Sequence, residues 1–297
     1  MTAPVRGLLC PITTPFSPGG DADPGRLAAQ IEIYEGLSVA GVVVFGTSGE
    51  GPLVDPDEEA GLLAAARAAL GSHRTLAVQV GHESVRATVA SARRAEAAGA
   101  DAILSLPPRY YPVTLDGLRA FYRALKAAVD LPLLAYHIPQ RSHVELGADL
   151  LGGLAREGTL AGIKESAGDL PLQRELRRSA GEGFAILNGS AVLTLEALRG
   201  GADGAILAVA DAAPEAVLAI FDAHADGDSA GAEAAQRALA PLAACLGPRF
   251  GVPGIKAALD LRGWPGGGDP RAPLAPLGAA EREEVADALR AAGVTLS

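Results

Sequence analysis

The sequence predicts an α/β fold, namely a closed (β/α)8 TIM barrel followed by a C-terminal helical extension. Two observations lead to this prediction. Strand-like apolar segments recur eight times between residues 7 and 210 and start roughly 20–35 residues apart, which leaves room for a crossover helix each time. Most of them are continuous apolar runs rather than alternating ones, which is typical of parallel strands covered on both faces.

The predicted strands are short, and residues 41–46 form the clearest of them, with four apolar residues between two glycines. In chain order the strands cover residues 7–16, 41–46, 75–81, 101–107, 131–138, 160–166, 184–190 and 204–210. Residues 99–103 (GADAI) closely resemble residues 201–206 (GADGAI), so one type of helix-to-strand junction recurs. An open, doubly wound sheet is the alternative, but residues 11–15 (PITTP) are unlike the glycine-rich dinucleotide turn that it would need.

Helices are predicted between the strands, and helices alone after residue 210. Asp55-Pro56-Asp57-Glu58 predicts a helix start, because aspartate can cap the helix, proline suits its first position and glutamate its third. An alanine-rich helix is predicted over residues 84–98 and should end at Gly99. The later helices cover residues 214–225, 229–245, 254–261 and 279–292, with a Gly/Pro-rich loop at 263–278. The barrel is therefore assigned to residues 1–225 and the helical segment to residues 226–297.

Composition limits the possible functions. The 297 residues carry a net charge of −10 with a pI near 5.0, which argues against a nucleic-acid partner or an anionic membrane surface. Cys10 and Cys245 are too few and too far apart for a disulfide framework or a cysteine metal site. Residues 1–16 lack the pattern of a signal peptide, and the apolar runs are too short for a membrane span. We therefore expect a soluble, cytoplasmic protein.

Lys164 lies in the run LAGIKES (residues 160–166), the sixth predicted strand. Only three lysines occur, Lys126, Lys164 and Lys256, against 22 arginines. Guanidinium stays protonated, whereas a desolvated ammonium can lose its proton and attack a carbonyl carbon. Lys164 is therefore predicted to form a Schiff base with a 2-oxo acid, and a lysine that reaches solvent from a strand end is the alternative. Lys256 follows a second Gly-Ile pair, opens a helical run and is predicted to be structural.

Further polar side chains are expected beside Lys164, because the carboxyl ends of all eight strands share one rim of a barrel. They lie at or after the ends of the first, second, fourth, fifth and seventh predicted strands: Thr13, Thr14, Thr47, Ser48, Glu50, Tyr110, Tyr111, Tyr136, His137, Arg141, Gly189 and Ser190.

Several of these residue types suit imine chemistry. Tyr136 could pass protons to and from a carbinolamine, and Tyr110 or Tyr111 could extend a proton relay through Ser48. Thr47, Ser48 and their backbone N–H groups are potential donors for the carboxylate of the 2-oxo acid. Arg141 offers a planar fork for a second carboxylate.

Each of these residues also has a structural interpretation. Tyr136 could be a core aromatic residue, residues 46–50 an ordinary turn and Arg141 a surface charge. His137 and His143 could begin a metal site, but no third ligand has suitable spacing, so no metal is expected.

Three motifs in this order resemble those of the dihydrodipicolinate synthase/N-acetylneuraminate lyase family of class I, Schiff-base-forming aldolases. Residues 46–50 (GTSGE) are similar to the family's GxxGE motif for the pyruvate carboxylate, and residues 136–139 (YHIP) to its Y-N-x-P strand end. Residues 162–166 (GIKES) are similar to its G-x-K-[DE]-[ST] Schiff-base strand. The resemblance extends from residues 11–16 to the C-terminal helices.

The resemblance implies a (β/α)8 barrel with a helical extension, no metal or organic cofactor, and a homotetramer built as a dimer of dimers. It implies a small-molecule substrate, either pyruvate or another 2-oxo acid. The tyrosine that matches Tyr110 reaches the neighbouring subunit's site in the family, and Tyr111 is the alternative. The predicted catalytic residues are Lys164, Tyr136, Tyr110 and Ser48, and the predicted substrate-binding residues are Thr47, Ser48, Arg141, Gly189 and Ile206.

Departures from the family pattern bear on the substrate. The family's synthases have a second threonine where this chain has Ser48, and they have an arginine, kept here as Arg141, for the aldehyde's carboxylate. The usual asparagine is His137, and the usual Thr-Gly is Ser142-His143, which predicts an altered pocket. Residues 249–254, 271–274 and 189–190 look more like 4-hydroxy-2-oxoglutarate aldolases.

The resulting prediction is a pyruvate-dependent lyase that resembles 4-hydroxy-tetrahydrodipicolinate synthase and condenses pyruvate with an aldehyde. A 4-hydroxy-2-oxoglutarate or 2-keto-3-deoxy sugar acid aldolase or dehydratase is the close alternative. A non-catalytic 2-oxo acid binding protein and a metal-dependent aldolase are alternatives of other classes.

Overall fold

The eight predicted strands close into a barrel. The computed structural model describes residues 5–181 and 183–297. Each strand pairs in parallel with the next, and the first pairs with the last, which confirms the predicted (β/α)8 fold. The strands are β1 Gly7–Pro11, β2 Gly41–Val44, β3 Thr75–Gln79, β4 Ala102–Ser105, β5 Leu133–His137, β6 Gly162–Glu165, β7 Ala185–Asn188 and β8 Gly204–Ile206.

Helices follow every strand. Those that accompany the barrel are α1 Pro24–Glu35, α2 Glu59–Ala69, α3 Val85–Ala97, α4 Leu115–Lys126, α5 Pro139–Ser142, α6 Ala148–Arg156, α7 Leu170–Ser179, α8 Thr194–Arg199, α9 Val209–Ala212 and α10 Pro214–Ala225. The later helices are α11 Ser229–Ala244, α12 Gly251–Leu261 and α13 Ala279–Ala291, with a π-helical turn at Cys245–Arg249. Among the described residues, no helix is both long and apolar enough to cross a membrane.

Several boundaries differ from the sequence prediction; β1, for example, ends at Pro11 rather than at residue 16, and α12 begins at Gly251 rather than at residue 254. Helix α2 begins at Glu59 rather than at Pro56, because residues 56–58 form a separate turn in which the Glu58 amide bonds the Asp55 carbonyl at 3.0 Å. The Glu58 carboxylate still accepts a hydrogen bond from the Asp55 amide at 2.9 Å, as in a capping box. Residues 209 and 210 belong to α9 rather than to the eighth strand. A short buried apolar run is compatible with either state, so its composition could not separate them.

The strands bury side chains on both faces, as the continuous apolar runs predict. The inner face carries a small cluster, formed by Val5, Leu9, Val43, Ala77, Ala102, Leu104, Leu134, Leu187 and Ile206. The outer face packs against the helices in a much larger cluster. Tyr136 lies two residues after Leu134 on β5 and is in register with Lys164 of β6, which is in register with Leu187 of β7. Because side chains alternate along a strand, Tyr136 and Lys164 both point into the barrel.

The C-terminal helical segment packs on the barrel. Helix α11 lies against α10 and α8, and the loop after α12 returns to the carboxyl end of β1. In that loop, the Gly266 carbonyl accepts a hydrogen bond from the Thr13 hydroxyl at 2.8 Å. The division at residue 225 into two units stays a prediction.

Candidate active site

Lys164 is held inside the barrel by a strand that is fixed on its other face. The side chain is buried, with 6% of its surface exposed, and Nζ lies 4.1 Å from the centroid of the Tyr136 ring. The neighbouring Glu165 is fully buried on the outer face, and its carboxylate accepts hydrogen bonds from the Gly168 and Asp169 amides at 3.1 Å. These bonds anchor the end of β6, so the amine has a defined position beside the phenol.

Tyr136 connects Lys164 to the loop after β2. Its hydroxyl shares a hydrogen bond of 3.2 Å with the Thr47 hydroxyl. Burial alone would raise the pKa of Tyr136, but the positive charge of Lys164, the bond to Thr47 and the charge of Arg141 together lower it below the usual value for a tyrosine. A phenol with a lowered pKa is a better proton donor and acceptor near neutral pH.

The loop after β2 forms a tight turn with unused donors. The Gly51 amide bonds the Gly46 carbonyl and the Glu50 amide bonds the Thr47 carbonyl, both at 3.2 Å. Gly49 has to be glycine, because a Cβ there would lie 2.9 Å from the Ile12 carbonyl oxygen. Within residues 5–181 and 183–297, the amides of residues 47, 48 and 49 and the Ser48 hydroxyl find no hydrogen-bond partner. Successive free N–H groups in a turn attract an anion.

Glu50, which closes this turn, is buried in an ion pair. Its carboxylate lies 2.6 Å from Nζ of Lys256 on α12, which is also buried. Burial raises the pKa of Glu50 and lowers that of Lys256, and their mutual attraction opposes both shifts. Lys256 is therefore tied to the turn that carries Thr47 and Ser48, and its purely structural role stays a prediction.

Arg141 lies on α5, just after β5. Its side chain is exposed and forms no ion pair with any other described residue, although its charge reaches Tyr136. The free guanidinium is available to a second carboxylate near the barrel mouth.

One expectation from the sequence is wrong, namely that the His137 side chain alters the pocket directly. It follows Tyr136 on β5, so its side chain lies on the outer face of the barrel. There it is buried, with Nε2 3.1 Å from the Glu145 carboxylate and Nδ1 3.7 Å from that of Glu165. His137 thus holds the loop that carries Arg141 rather than lining the pocket.

Gly189 directly follows β7 and Ile206 is the last residue of β8, so both belong to the side of the site that these two strands form. The Gly189 amide donates a hydrogen bond to the Glu165 carbonyl at 2.6 Å, and a Cβ there would lie 1.9 Å from the Ser166 hydroxyl oxygen. Ile206 is packed in the inner cluster of the barrel. Their contact with a substrate stays a prediction.

Tyr110 and Tyr111 lie apart from the relay of Tyr136 and Thr47. They are 77% and 72% exposed, and their rings pack edge to face with centroids 4.9 Å apart. Glu83 accepts a hydrogen bond from the Tyr110 amide at 2.9 Å, whereas neither phenol bonds any part of the chain that the structure describes. Within one chain the structure does not bring either tyrosine to Lys164, and the choice between them stays open.

Metal ligands are not grouped in the described ranges. Across residues 5–181 and 183–297, no cluster of three or more His, Cys, Asp and Glu side chains is arranged to hold a metal ion. His143 is exposed and adopts a positive φ of 56°, at the end of α5.

Two ion pairs that support this site were not predicted from the sequence. One is the pairing of Lys256 with Glu50, which a lysine in an apolar helix of a lysine-poor chain could have indicated. The other is the pairing of His137 with Glu145, for which the sequence holds no clear signal because the two residues meet only after the loop has folded.

The chain is similar to known proteins in both sequence and fold. A sequence model of the dihydrodipicolinate synthetase family matches residues 4–292. An uncharacterized DapA-like lyase of Halobacterium salinarum is 36% identical over 265 residues, which cover 89% of this chain and 86% of that protein. The 4-hydroxy-tetrahydrodipicolinate synthase of Synechococcus sp. strain CC9311 is 34% identical over 292 residues, 97% of this chain and 95% of that one. The crystal structure of dihydrodipicolinate synthase from Aquifex aeolicus superposes with a TM-score of 0.92 at 26% identity, covering 98% and 99% of the two chains.

Proposed function

The chain belongs to the dihydrodipicolinate synthetase family of lyases, and from this premise we propose that Lys164 forms a Schiff base with pyruvate or another 2-oxo acid. The observation that carries the proposal is the contact of the buried Lys164 amine with Tyr136, whose hydroxyl is bonded to Thr47. The free amides of residues 47–49 lie next to that bond and suit the substrate's carboxylate.

The proposed reaction begins when the neutral Lys164 amine attacks C2 of the 2-oxo acid. A proton passes from the nitrogen to the carbonyl oxygen and gives a carbinolamine, whose hydroxyl leaves as water after Tyr136 donates a second proton. The product is a protonated imine, and the Tyr136 phenolate regains its proton when C3 loses one and the enamine forms.

The second half of the reaction forms a carbon–carbon bond. C3 of the enamine attacks the carbon of an aldehyde, whose oxygen takes up the proton of the Tyr136 phenol, and the protonated imine returns. Water then adds to the imine carbon, releases the product and restores the Lys164 amine. The same steps in reverse cleave a 4-hydroxy-2-oxo acid.

Condensation with an aldehyde that carries a carboxylate is the preferred direction in this proposal. Arg141 supports it, because an exposed guanidinium that forms no ion pair with a described residue, and whose charge reaches Tyr136, suits a second carboxylate. The Synechococcus relative, a 4-hydroxy-tetrahydrodipicolinate synthase, supports it as well. Cleavage of a 4-hydroxy-2-oxo acid is the alternative, since the distal carboxylate of such a substrate would meet the same arginine.

Trapping with borohydride tests the proposal. The enzyme is incubated with pyruvate, reduced with sodium borohydride, digested and analysed by mass spectrometry. We expect one pyruvate-derived adduct, on Lys164, and none on Lys126 or Lys256, which serve as internal controls. A protein that carries no adduct, or carries it only on Lys256, refutes the proposal.

We further propose that the enzyme is a cytoplasmic homo-oligomer arranged as a dimer of dimers. Cys10 and Cys245 are buried free thiols, which suits a reducing compartment. Tyr110, Tyr111 and Leu115 are exposed and apolar, which suits a subunit interface. A sedimentation measurement that finds only monomers at working concentration would exclude the arrangement.

A further inference from the structure

Residues of the C-terminal segment contact both carboxylate oxygens of Glu50. Nζ of Lys256 lies 2.6 Å from Oε1, and the backbone amide of Arg271 donates to Oε2 at 2.8 Å. Both partners follow the barrel in sequence, yet they contact the turn that follows its second strand. Lys256 and Glu50 are almost wholly inaccessible, with 1% and 0% of their side-chain surface exposed.

The Lys256 ammonium contacts three groups at this position. Besides Glu50, it donates a hydrogen bond to the Asp269 carbonyl at 3.1 Å, and it lies 4.5 Å from the centroid of the Phe16 ring. The Arg271 guanidinium lies on the same ring, 4.2 Å from its centroid. It also donates to the Leu53 carbonyl at 2.6 Å, just beyond the turn. The turn is therefore held at Glu50 and again at Leu53.

Stability alone does not explain a buried ion pair. The cost of removing two charges from water can exceed their attraction, and well-packed apolar residues often serve as well or better. Such a pair can instead hold the chain in one defined conformation, and the backbone of Glu50 needs to be held in this way. Its φ of 53° lies in the left-handed region, which residues other than glycine rarely adopt unless their surroundings impose it.

The conformation of Glu50 sets the shape of the turn. Its amide bonds the Thr47 carbonyl, and the next amide bonds the Gly46 carbonyl. These two bonds use the amides of residues 50 and 51, whereas the amides of residues 47–49 have no hydrogen-bond partner among the described residues. A relaxed Glu50 would change both bonds and with them the direction of the free amides.

We propose that Lys256 and the backbone of Arg271 are positioning groups that hold Glu50 so that the turn at residues 46–51 binds the carboxylate of the 2-oxo acid. This inference rests on the proposed function, because it assigns the turn to that carboxylate. The C-terminal helices are thus part of the substrate selectivity of the enzyme, although none of their residues touches the substrate.

The test compares a ketone with a carboxylate and one without. Pyruvate and acetone both form an imine with a lysine, but only pyruvate needs the turn. Labelling of Lys164 is measured by borohydride trapping over a range of each ketone for the wild type and Lys256→Met, with Lys126→Met as the control that removes an outlying lysine. We expect Lys256→Met to need at least about tenfold more pyruvate for half-maximal labelling, since it leaves a buried carboxylate without its partner, while its labelling by acetone stays unchanged.

Other outcomes separate the two claims. A wild type that is not labelled at Lys164 refutes the proposed function itself. A folded Lys256→Met variant with wild-type labelling by pyruvate, or with equal losses for pyruvate and acetone, overturns the positioning role alone.

A variant that fails to fold is replaced by the double variant E50Q/K256M, in which no uncompensated charge remains. The same loss of preference for pyruvate is expected there. If the double variant keeps that preference or also fails to fold, the pair serves the fold and the inference is wrong.

Discussion

Replacing Tyr136 with phenylalanine would remove one oxygen atom from the site and keep the ring beside Lys164. The ring stays about 4 Å from Nζ, so the position of the amine should be preserved. The lost hydroxyl is bonded to Thr47, which is partly exposed, and it also interacts with the Lys164 amine. The free energy of unfolding should therefore fall by only about 0.5–1.5 kcal/mol, the usual contribution of one such bond.

The effect on the rate should be much larger. A positioned acid or base contributes roughly 10²–10⁴-fold to a rate. At 1.36 kcal/mol for each factor of ten, this range corresponds to about 2.7–5.4 kcal/mol of activation free energy. Stopped samples trapped with borohydride at increasing times measure the rate at which pyruvate labels Lys164. In Tyr136→Phe this labelling should be slow but should reach the wild-type amount, because the nucleophile is intact.

Tyr122→Phe is the matched control. Tyr122 is a fully buried tyrosine of α4 whose hydroxyl has no partner within the described residues, and burial raises its pKa above the ordinary value. Its variant should label at the wild-type rate and should be no less stable. Wild-type labelling by Tyr136→Phe would show that the phenol takes no part in proton transfer.

Three further predictions follow from the same geometry. Arg141→Gln should raise the KM for an aldehyde that carries a carboxylate and leave the final amount of pyruvate trapped on Lys164 unchanged, although the loss of its charge near Tyr136 should slow the trapping slightly; equal KM values for the aldehyde would exclude its role. Asp211 is buried against Tyr34, and burial raises its pKa to about 7, so the folded state holds its proton more tightly than the unfolded state. Its contribution to the free energy of unfolding, on the order of 4 kcal/mol in all, is therefore complete below about pH 4 and is lost as the pH rises to about 7. Urea unfolding measured over this pH range should show the decrease in the wild type and not in Asp211→Asn. Dialysis against a chelator should leave the trapping rate unchanged, since an amine is the proposed nucleophile, and a reversible loss restored by a divalent metal would contradict that chemistry.

The strand pattern was predictable because it depends on local composition. Each continuous apolar run became a strand, since a barrel buries both faces of its strands. The adjacency of Tyr136 and Lys164 was also predictable in outline, because neighbouring strands with matching periodicity place both side chains inward.

The remaining features depend on distant parts of the chain. The loop before α2 is held by Arg271, far along the sequence, which binds Glu58. The inward or outward direction of His137 depended on the register of β5, which one residue of slippage would reverse. An apolar helix could indicate that Lys256 is paired, but not with which residue, since the contact with Glu50 forms only when α12 has packed near the turn after β2.

The pairing of the first strand with the last has a consequence for biosynthesis. As the chain leaves the ribosome, β1 exposes one row of backbone donors and acceptors until β8 has been made. An open edge of this kind can pair with another nascent chain, and slow, long-range strand pairing prolongs that exposure. Overproduction should therefore favour aggregates over finished enzyme, and slower synthesis at lower temperature should shift the balance back.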